Sequence, residues 1–329
     1  MRIGIVGVTG LVGRTFLRAL PYYGFDRAEV VGAASARSVG QRIPFREGEL
    51  VVEPLEALLE RSLDVVFFSA GAVVSREWAP RFVEKGAIVI DNSSAWRLEP
   101  HVPLIVPEVN LSARGDARLI ANPNCSTIQL VVALAPLARE FGLERVIVST
   151  YQAVTGTGQK AVDQLLAERA GQSTSRAAYP HPIDLNCLPQ CDVFDAEGYT
   201  KEEWKIIRET RKILGLPELA ITATAVRVPV LGGHSESVNV VLQREVDIDT
   251  VRQVLQDAEG VVLQDEPERS FYPMPRYVEG QDAVFVGRLR RDTSHPRGVN
   301  FWIVADNLRK GAATNALQIA QHVVEKTPV

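Results

Sequence analysis

The chain has 329 residues, of which 46% are hydrophobic and 23% charged, with a formal net charge of −4. That length suits two domains of about 150 residues each, and the balance of charge gives no electrostatic basis for binding nucleic acid or an anionic membrane surface. The apolar start is too short for a secretory leader, no apolar run is long enough to span a bilayer, and three cysteines argue for a reducing compartment rather than a disulfide scaffold, so a cytoplasmic protein is expected.

The first third alternates short apolar strands with helical patterns. Strands are predicted over 2–6, 29–34, 64–69, 87–91, 104–106 and 118–121, and helices over 10–20 and 75–85. Strands that are apolar throughout and separated by helices indicate a parallel sheet covered on both faces. A long apolar helix is expected over 126–141. After it the strands lengthen, at 145–153, 221–230, 237–243, 283–290 and 299–305, and several alternate polar with apolar residues. That pattern predicts a mixed or antiparallel sheet with one face open to solvent or to a partner. Helices are expected over 158–170, 200–214, 248–259 and 310–325, the last with Ala313, Ala316, Leu317, Ala320 and Val324 at helical spacing. The boundary between the two patterns falls near Cys125.

The first strand runs into Gly7-Val-Thr-Gly10-Leu-Val-Gly13 and then a helix. Strand, glycine turn and helix N-terminus form the setting in which backbone N–H groups receive a dinucleotide pyrophosphate. The spacing is G-x-x-G-x-x-G, a variant of the usual fingerprint, and a glycine turn that merely packs helix on strand has the same form. The second strand ends Ala33-Ala-Ser35-Ala-Arg37-Ser38. NAD-binding folds place an acidic residue here, roughly 20 residues on, for the ribose 2′-hydroxyl. Ser35, Arg37 and Ser38 would instead hold a 2′-phosphate, so NADP is the expected cofactor.

Cys125, in Asn122-Pro-Asn124-Cys-Ser-Thr-Ile-Gln129, precedes the long apolar helix. A thiol at a helix N-terminus is favoured as the thiolate, although a small buried apolar residue would fit the same place. His234 follows two glycines between two strands, which predicts an accessible imidazole able to pass protons. His101, His181, His295 and His322 read as surface residues. Cys187-Leu-Pro-Gln-Cys191 has ligand-like spacing, yet no second pair follows at zinc-site distance and no metal is expected. Arg97, Lys205 and Arg227 are the anion candidates, with Lys205 on an otherwise charged helix.

Together these motifs resemble the aspartate-β-semialdehyde dehydrogenase family, bacterial branch. The resemblance extends over nearly the whole chain and is carried also by Asp91-Asn-Ser-Ser-Ala-Trp-Arg97, Tyr151-Gln-Ala-Val-Thr-Gly156, Arg227-Val-Pro-Val-Leu-Gly-Gly-His-Ser-Glu-Ser237, Phe285-Val-Gly-Arg-Leu-Arg290 and Asp306-Asn-Leu-Arg-Lys-Gly-Ala-Ala313. It implies an α/β chain: a Rossmann-type NADP-binding domain, 1–124 plus 306–329, and an α+β catalytic and dimerisation domain on a mixed sheet, 125–305. It also implies a homodimer or a pair of dimers, acting in the synthesis of lysine, threonine and methionine. Cys125 would be the acyl-thioester nucleophile, His234 the general acid/base, and Gln152 would orient the substrate. Arg227 would clamp the substrate α-carboxylate and Glu202 its ammonium, while Arg97, Lys205 and Asn124 would hold phosphate. NADP would touch Gly7, Thr9, Gly10, Leu11, Val12, Ser35, Arg37, Ser38, Thr155, Gly156 and Asn307. The segment 158–186 is shorter and less regular than in relatives with a longer helical excursion. The alternatives are the sibling N-acetyl-γ-glutamyl-phosphate reductase, which Glu202 disfavours, and a non-catalytic NADP-binding sensor.

Overall fold

A computed structural model describes residues 1–172 and 177–324; residues 173–176, within the segment 158–186, and Glu325, the expected end of the last helix, lie outside the described residues. The chain divides into two compact units, 1–124 with 312–329 and 125–311.

The first unit carries β1 (Arg2–Val6), α1 (Leu11–Ala19), β2 (Glu29–Ala33), β3 (Arg42–Phe45), β4 (Gly48–Glu53), α2 (Leu55–Leu59), β5 (Val65–Phe68), α3 (Ala72–Glu84), β6 (Ile88–Asp91), α4 (Pro107–Asn110) and β7 (Leu119–Ala121). The strand order is β3-β4-β2-β1-β5-β6-β7, parallel except for the antiparallel β3–β4 pair. Alternate side chains of β1 and β5 enter opposite cores: Ile3, Ile5 and Phe67 pack with Phe16 of α1, and Val6, Val66 and Phe68 with Phe82 of α3. This double burial is why these strands are apolar at every position after the exposed Arg2.

Three expectations are corrected in this unit. The β3–β4 hairpin and α2 fall in a stretch where no element was expected, because the charged, glycine-interrupted sequence has little strand signature. Residues 104–106 form no strand: Leu104 makes one isolated parallel bridge to Ala121 before α4 begins at Pro107. Pro103 and Pro107 lack the N–H groups a ladder needs.

The second unit contains α5 (Cys125–Phe141), β8 (Leu143–Gln152), α6 (Gln159–Arg169), α7 (Lys201–Leu214), β9 (Ala220–Arg227), β10 (His234–Leu242), α8 (Ile248–Gln256), β11 (Val261–Leu263), α9 (Pro275–Val278), β12 (Val284–Arg291) and β13 (Gly298–Ala305). The sheet runs β11-β12-β13-β10-β8-β9 and is mixed, with β8–β9 and β11–β12 parallel. α5 is buried along nearly its whole length and packs on this sheet between α7 and α8. The opposite face stays half-open, with Tyr151 against Trp302 at 5.3 Å between ring centroids. Here β9 stops at Arg227, ahead of Pro229, and β10 starts at His234 rather than 237. A π-turn, Arg309–Ala313, leads back into α10 (Thr314–Val324) of the first unit, so the last helix begins four residues later than its periodicity predicts.

Candidate active site

In the first unit the glycine loop forms a backbone cradle. Gly7 has φ +88, and a Cβ there would collide with the Ser69 carbonyl; a Cβ on Gly13 would collide with the Gly7 carbonyl and the Val8 backbone. Only glycine permits that approach of turn, strand and helix. α1 starts at Leu11 and Val12 with no side-chain cap on its amides. A cavity of about 670 Å³ opens over the ends of β1, β2 and β5, lined by Gly7, Thr9, Gly10, Ser35, Ser69 and Trp78 among others. Strand order reverses there, the place where doubly wound sheets bind nucleotides. Arg37 and Ser38 lie on the short 3₁₀ turn after Ser35. Glu56 also lines the cavity, a carboxylate the sequence reading did not include.

Arg97 is held by the same unit. Its Nε donates to the Asn122 carbonyl (3.0 Å) and its Nη2 to the Asn92 carbonyl (2.7 Å). Asp91 fixes the loop that delivers it, accepting from Ser75 Oγ, Ser93 N and Ser93 Oγ. Burial raises the Asp91 carboxyl above its ordinary pKa against those bonds and the Arg97 charge. Asn124, buried, closes this unit immediately before the thiol.

The second unit gathers the remaining polar candidates. Cys125, half-buried, is the first residue of α5, and all three cysteines are unbridged. Gly311 lies against it, where a Cβ would come within 2.9 Å of Cys125 Cβ. From the end of β8, Gln152 Nε2 donates to Ser126 Oγ (2.9 Å) and to Glu202 Oε1 (3.3 Å). Glu202 is placed by α7, which Thr200 and Glu203 start with a reciprocal capping box; Glu203 also accepts from the Ala225 amide of β9. One turn on, Lys205 Nζ reaches Glu202 Oε2 (3.2 Å) and Asp192 Oδ2 (2.9 Å). Burial acts to lower the Lys205 pKa, but the two carboxylates outweigh it and hold the ammonium above its ordinary value. Asp192 was not anticipated; it sits at φ 72, and its neighbour Cys191 is buried, with burial pushing that thiol up to about 12.

Arg227 and His234 meet around residue 156. Arg227 Nη1 donates to the Ala153 carbonyl (2.6 Å), and the Ala153 amide donates to His234 Nδ1 (3.1 Å). Gly156 leaves the room, since a Cβ there would come within 2.9 Å of both Arg227 Nη1 and His234 Nε2. The expected accessible histidine is corrected: His234 opens β10, pairs with Ala305 and is fully buried, because the two glycines end the turn one residue before it. Burial, with the Arg227 charge added, holds its pKa well below the ordinary value, opposed by the Gly233 backbone. With Nδ1 accepting an amide, the neutral ring carries its proton on Nε2. His234 Nε2 and Arg227 Nε are both buried with no hydrogen-bond partner among the described residues. Thr155 and Asn307 pair at 3.1 Å, and Asn307 Oδ1 accepts from the Gly233 amide. Among the described residues no group of three or more His, Cys, Asp or Glu is placed to hold a metal ion, and no helix is long and apolar enough to cross a membrane.

Two family models match in tandem: the semialdehyde dehydrogenase NAD binding domain over residues 2–117 and the semialdehyde dehydrogenase dimerisation domain over residues 134–310. The fold and site therefore define an oxidoreductase with a nucleotide domain and a dimerisation domain. An aspartate-semialdehyde dehydrogenase of Aquifex aeolicus is 48% identical over 99% of this chain and 98% of its own. Aspartate semialdehyde dehydrogenase II of Vibrio cholerae, solved in complex with ASA, superimposes with a TM-score of 0.93 at 40% identity, covering 99% of both chains. The Candida albicans structure with NADP gives 0.77 at 26% identity over 98% of both chains. The chain belongs to the aspartate-semialdehyde dehydrogenase family.

Proposed function

We propose that the enzyme catalyses the reversible, NADP-dependent reductive dephosphorylation of L-aspartyl-4-phosphate to L-aspartate 4-semialdehyde through a thioester on Cys125. The observation that carries this is the pair of buried, unpartnered donors, His234 Nε2 and Arg227 Nε, in the unit that presents Cys125 at a helix start. Buried donors are ordinarily satisfied, and an acyl oxygen and an α-carboxylate are acceptors of the right kind.

The Cys125 thiolate attacks the acyl carbon, the carbon–oxygen bond to phosphate breaks, and phosphate leaves, with Lys205 the cation of this unit proposed to receive it. NADPH, when bound, would supply the hydride that reduces the thioester. The resulting thiohemiacetal collapses: its carbon–sulfur bond breaks, aldehyde leaves and the thiolate returns. His234, neutral, offers its Nε2 proton to the acyl oxygen as charge develops there. Gln152, tied to Ser126 and Glu202, orients the substrate. Arg227 presents a planar fork to the α-carboxylate and Glu202 a carboxylate to the ammonium; a free ammonium rather than an acetamide is what separates this substrate from that of the sibling N-acetyl-γ-glutamyl-phosphate reductase.

The cavity of the first unit suits the nucleotide because glycine alone fits at 7 and 13. Thr9 to Val12 would meet the pyrophosphate, and Ser35, Arg37 and Ser38 a 2′-phosphate. NADP is therefore preferred over NAD, and NADH turnover equal to that of NADPH overturns the preference. The half-open face of the second sheet suits a homodimer, the cytoplasm is the compartment proposed, and the product feeds lysine, threonine and methionine synthesis. The deciding measurement is NADP reduction by aspartate semialdehyde with and without phosphate, before and after thiol alkylation. Phosphate-dependent reduction abolished by alkylation is expected; a non-catalytic sensor shows none, and the sibling reductase acts only on the acetylated aldehyde.

A further inference from the structure

Glu236 is a buried acid that the proposed chemistry does not use. It lies on β10, two residues after His234, and is 0% exposed. Strand alternation turns it to the same face as His234 and Val238, beneath α5. In the sheet register its neighbours are Thr150 on β8 and Ile303 on β13. From α5 it faces Gln129, one turn beyond Cys125. Of these neighbours only His234 titrates, and it is held neutral. Neither carboxyl oxygen has a hydrogen-bond partner among the described residues, and the same holds for Gln129 Oε1 and Thr150 Oγ1. Gln129 is already half committed: its Nε2 donates to the His234 carbonyl at 3.3 Å.

An ionised carboxylate offers only acceptors to this pocket, whereas Gln129 Oε1 needs a donor. A protonated carboxyl supplies it. Resting on the reaction proposed above, we infer that Glu236 is a positioning residue: its carboxyl donates to Gln129, which in turn holds the His234 backbone, so that one buried chain of hydrogen bonds sets the Cys125 helix against the His234 strand. Burial independently pushes the Glu236 carboxyl well above the ordinary range, outweighing the Gln129 amide, which as a donor would favour the ionised form. Buried networks of this kind fix geometry when every member is satisfied.

The test compares Glu236→Leu, Glu236→Gln and Gln129→Leu in the full-length enzyme, with NADP binding and thermal melting recorded beside kinetics. Glu236→Leu is expected to lower kcat about tenfold to a hundredfold with little change in substrate KM, as small misplacements of reacting groups do. Gln129→Leu should cost about as much, and the double variant no more than either alone. Glu236→Gln, whose amide also donates and accepts, should recover most of the loss. Its stability relative to wild type should rise as pH increases above about 4.5, the ordinary value from which the folded-state carboxyl is raised, since only wild type then carries an acid that ionises on unfolding. Wild-type kcat in Glu236→Leu overturns the inference. So does a Glu236→Gln loss equal to that of Glu236→Leu, and if Glu236→Leu does not fold, Glu236→Gln alone decides. Absence of phosphate-dependent activity in the wild type would instead defeat the reaction itself.

Discussion

The two units use opposite strategies to build a site. In the first, function is written in the backbone: Gly7 and Gly13 matter because nothing larger fits, and the cavity is made by strand ends. In the second it is written in side chains that cross the fold, from Ser126 through Gln152 and Glu202 to Lys205, and from Ala153 to His234 and Arg227. A backbone site is local in sequence and tolerates few residues. A side-chain site is dispersed and fails in graded steps. Substitutions in the two units should therefore fail differently.

The largest effect is expected at Cys125. Cys125→Ala should reduce turnover by several orders of magnitude while leaving NADPH affinity and melting temperature near wild type, because it removes the nucleophile and nothing from the nucleotide cradle. Stopped-flow and nucleotide titration on one preparation separate the two readouts; normal turnover would rule out the thioester route.

Gly7→Ala should act in the reverse sense. Its left-handed backbone alone costs a non-glycine residue about 1–3 kcal/mol, and the added Cβ meets the Ser69 carbonyl. Weaker NADPH binding and a lower melting temperature are expected, with Cys125 alkylation largely unaffected. Unchanged nucleotide affinity would remove the glycine loop from the cofactor site.

Arg227→Lys should fall between these and touch only the second unit. A single ammonium cannot both hold the Ala153 carbonyl and present a fork. Losing one charge-assisted interaction of about 1.5–3 kcal/mol corresponds to roughly tenfold to a hundredfold in kcat/KM. Lys205→Ala should be milder, raising KM for phosphate severalfold more than KM for the aldehyde, since in the free enzyme the lysine is already shared between Asp192 and Glu202. An unchanged phosphate KM would leave Lys205 as a structural partner of those carboxylates.

This contrast also governs what could be read from sequence. The parallel sheet, α1 and the glycine loop are legible because double burial and a tight turn impose residue types locally. Cys125 and the start of α7 are legible for the same reason: a helix start carries its own signals, here Asn-Pro-Asn before the thiol and Thr200 with Glu203. Arg227 and Lys205 were anion candidates from sequence, but their particular roles, and Glu202 altogether, came through resemblance, because nothing local distinguishes them from solvated charges. Asp192, Asp91 and Glu236 were missed as partners because their importance comes from contacts made only in the folded chain. His234 was misread for a related reason: two glycines announce a turn, but not which side of it the next residue joins.

The smallest effect distinguishes two residues of the same strand. His234 has a folded-state pKa held well below its unfolded value of 6.5, so its contribution to stability is complete above that pH and is lost as pH falls below it. The loss can reach at most about 1.4 kcal/mol per pH unit. Glu236, raised in the folded state, loses its contribution in the opposite direction, as pH rises. Melting curves of wild type, His234→Gln and Glu236→Gln between mildly acidic and neutral pH should therefore diverge with opposite slopes. Wild type should lose ground to His234→Gln on acidification and to Glu236→Gln on alkalinisation. Parallel curves for His234→Gln and wild type would mean that the imidazole accepts a proton in the folded state, and a neutral donor role for it would fall.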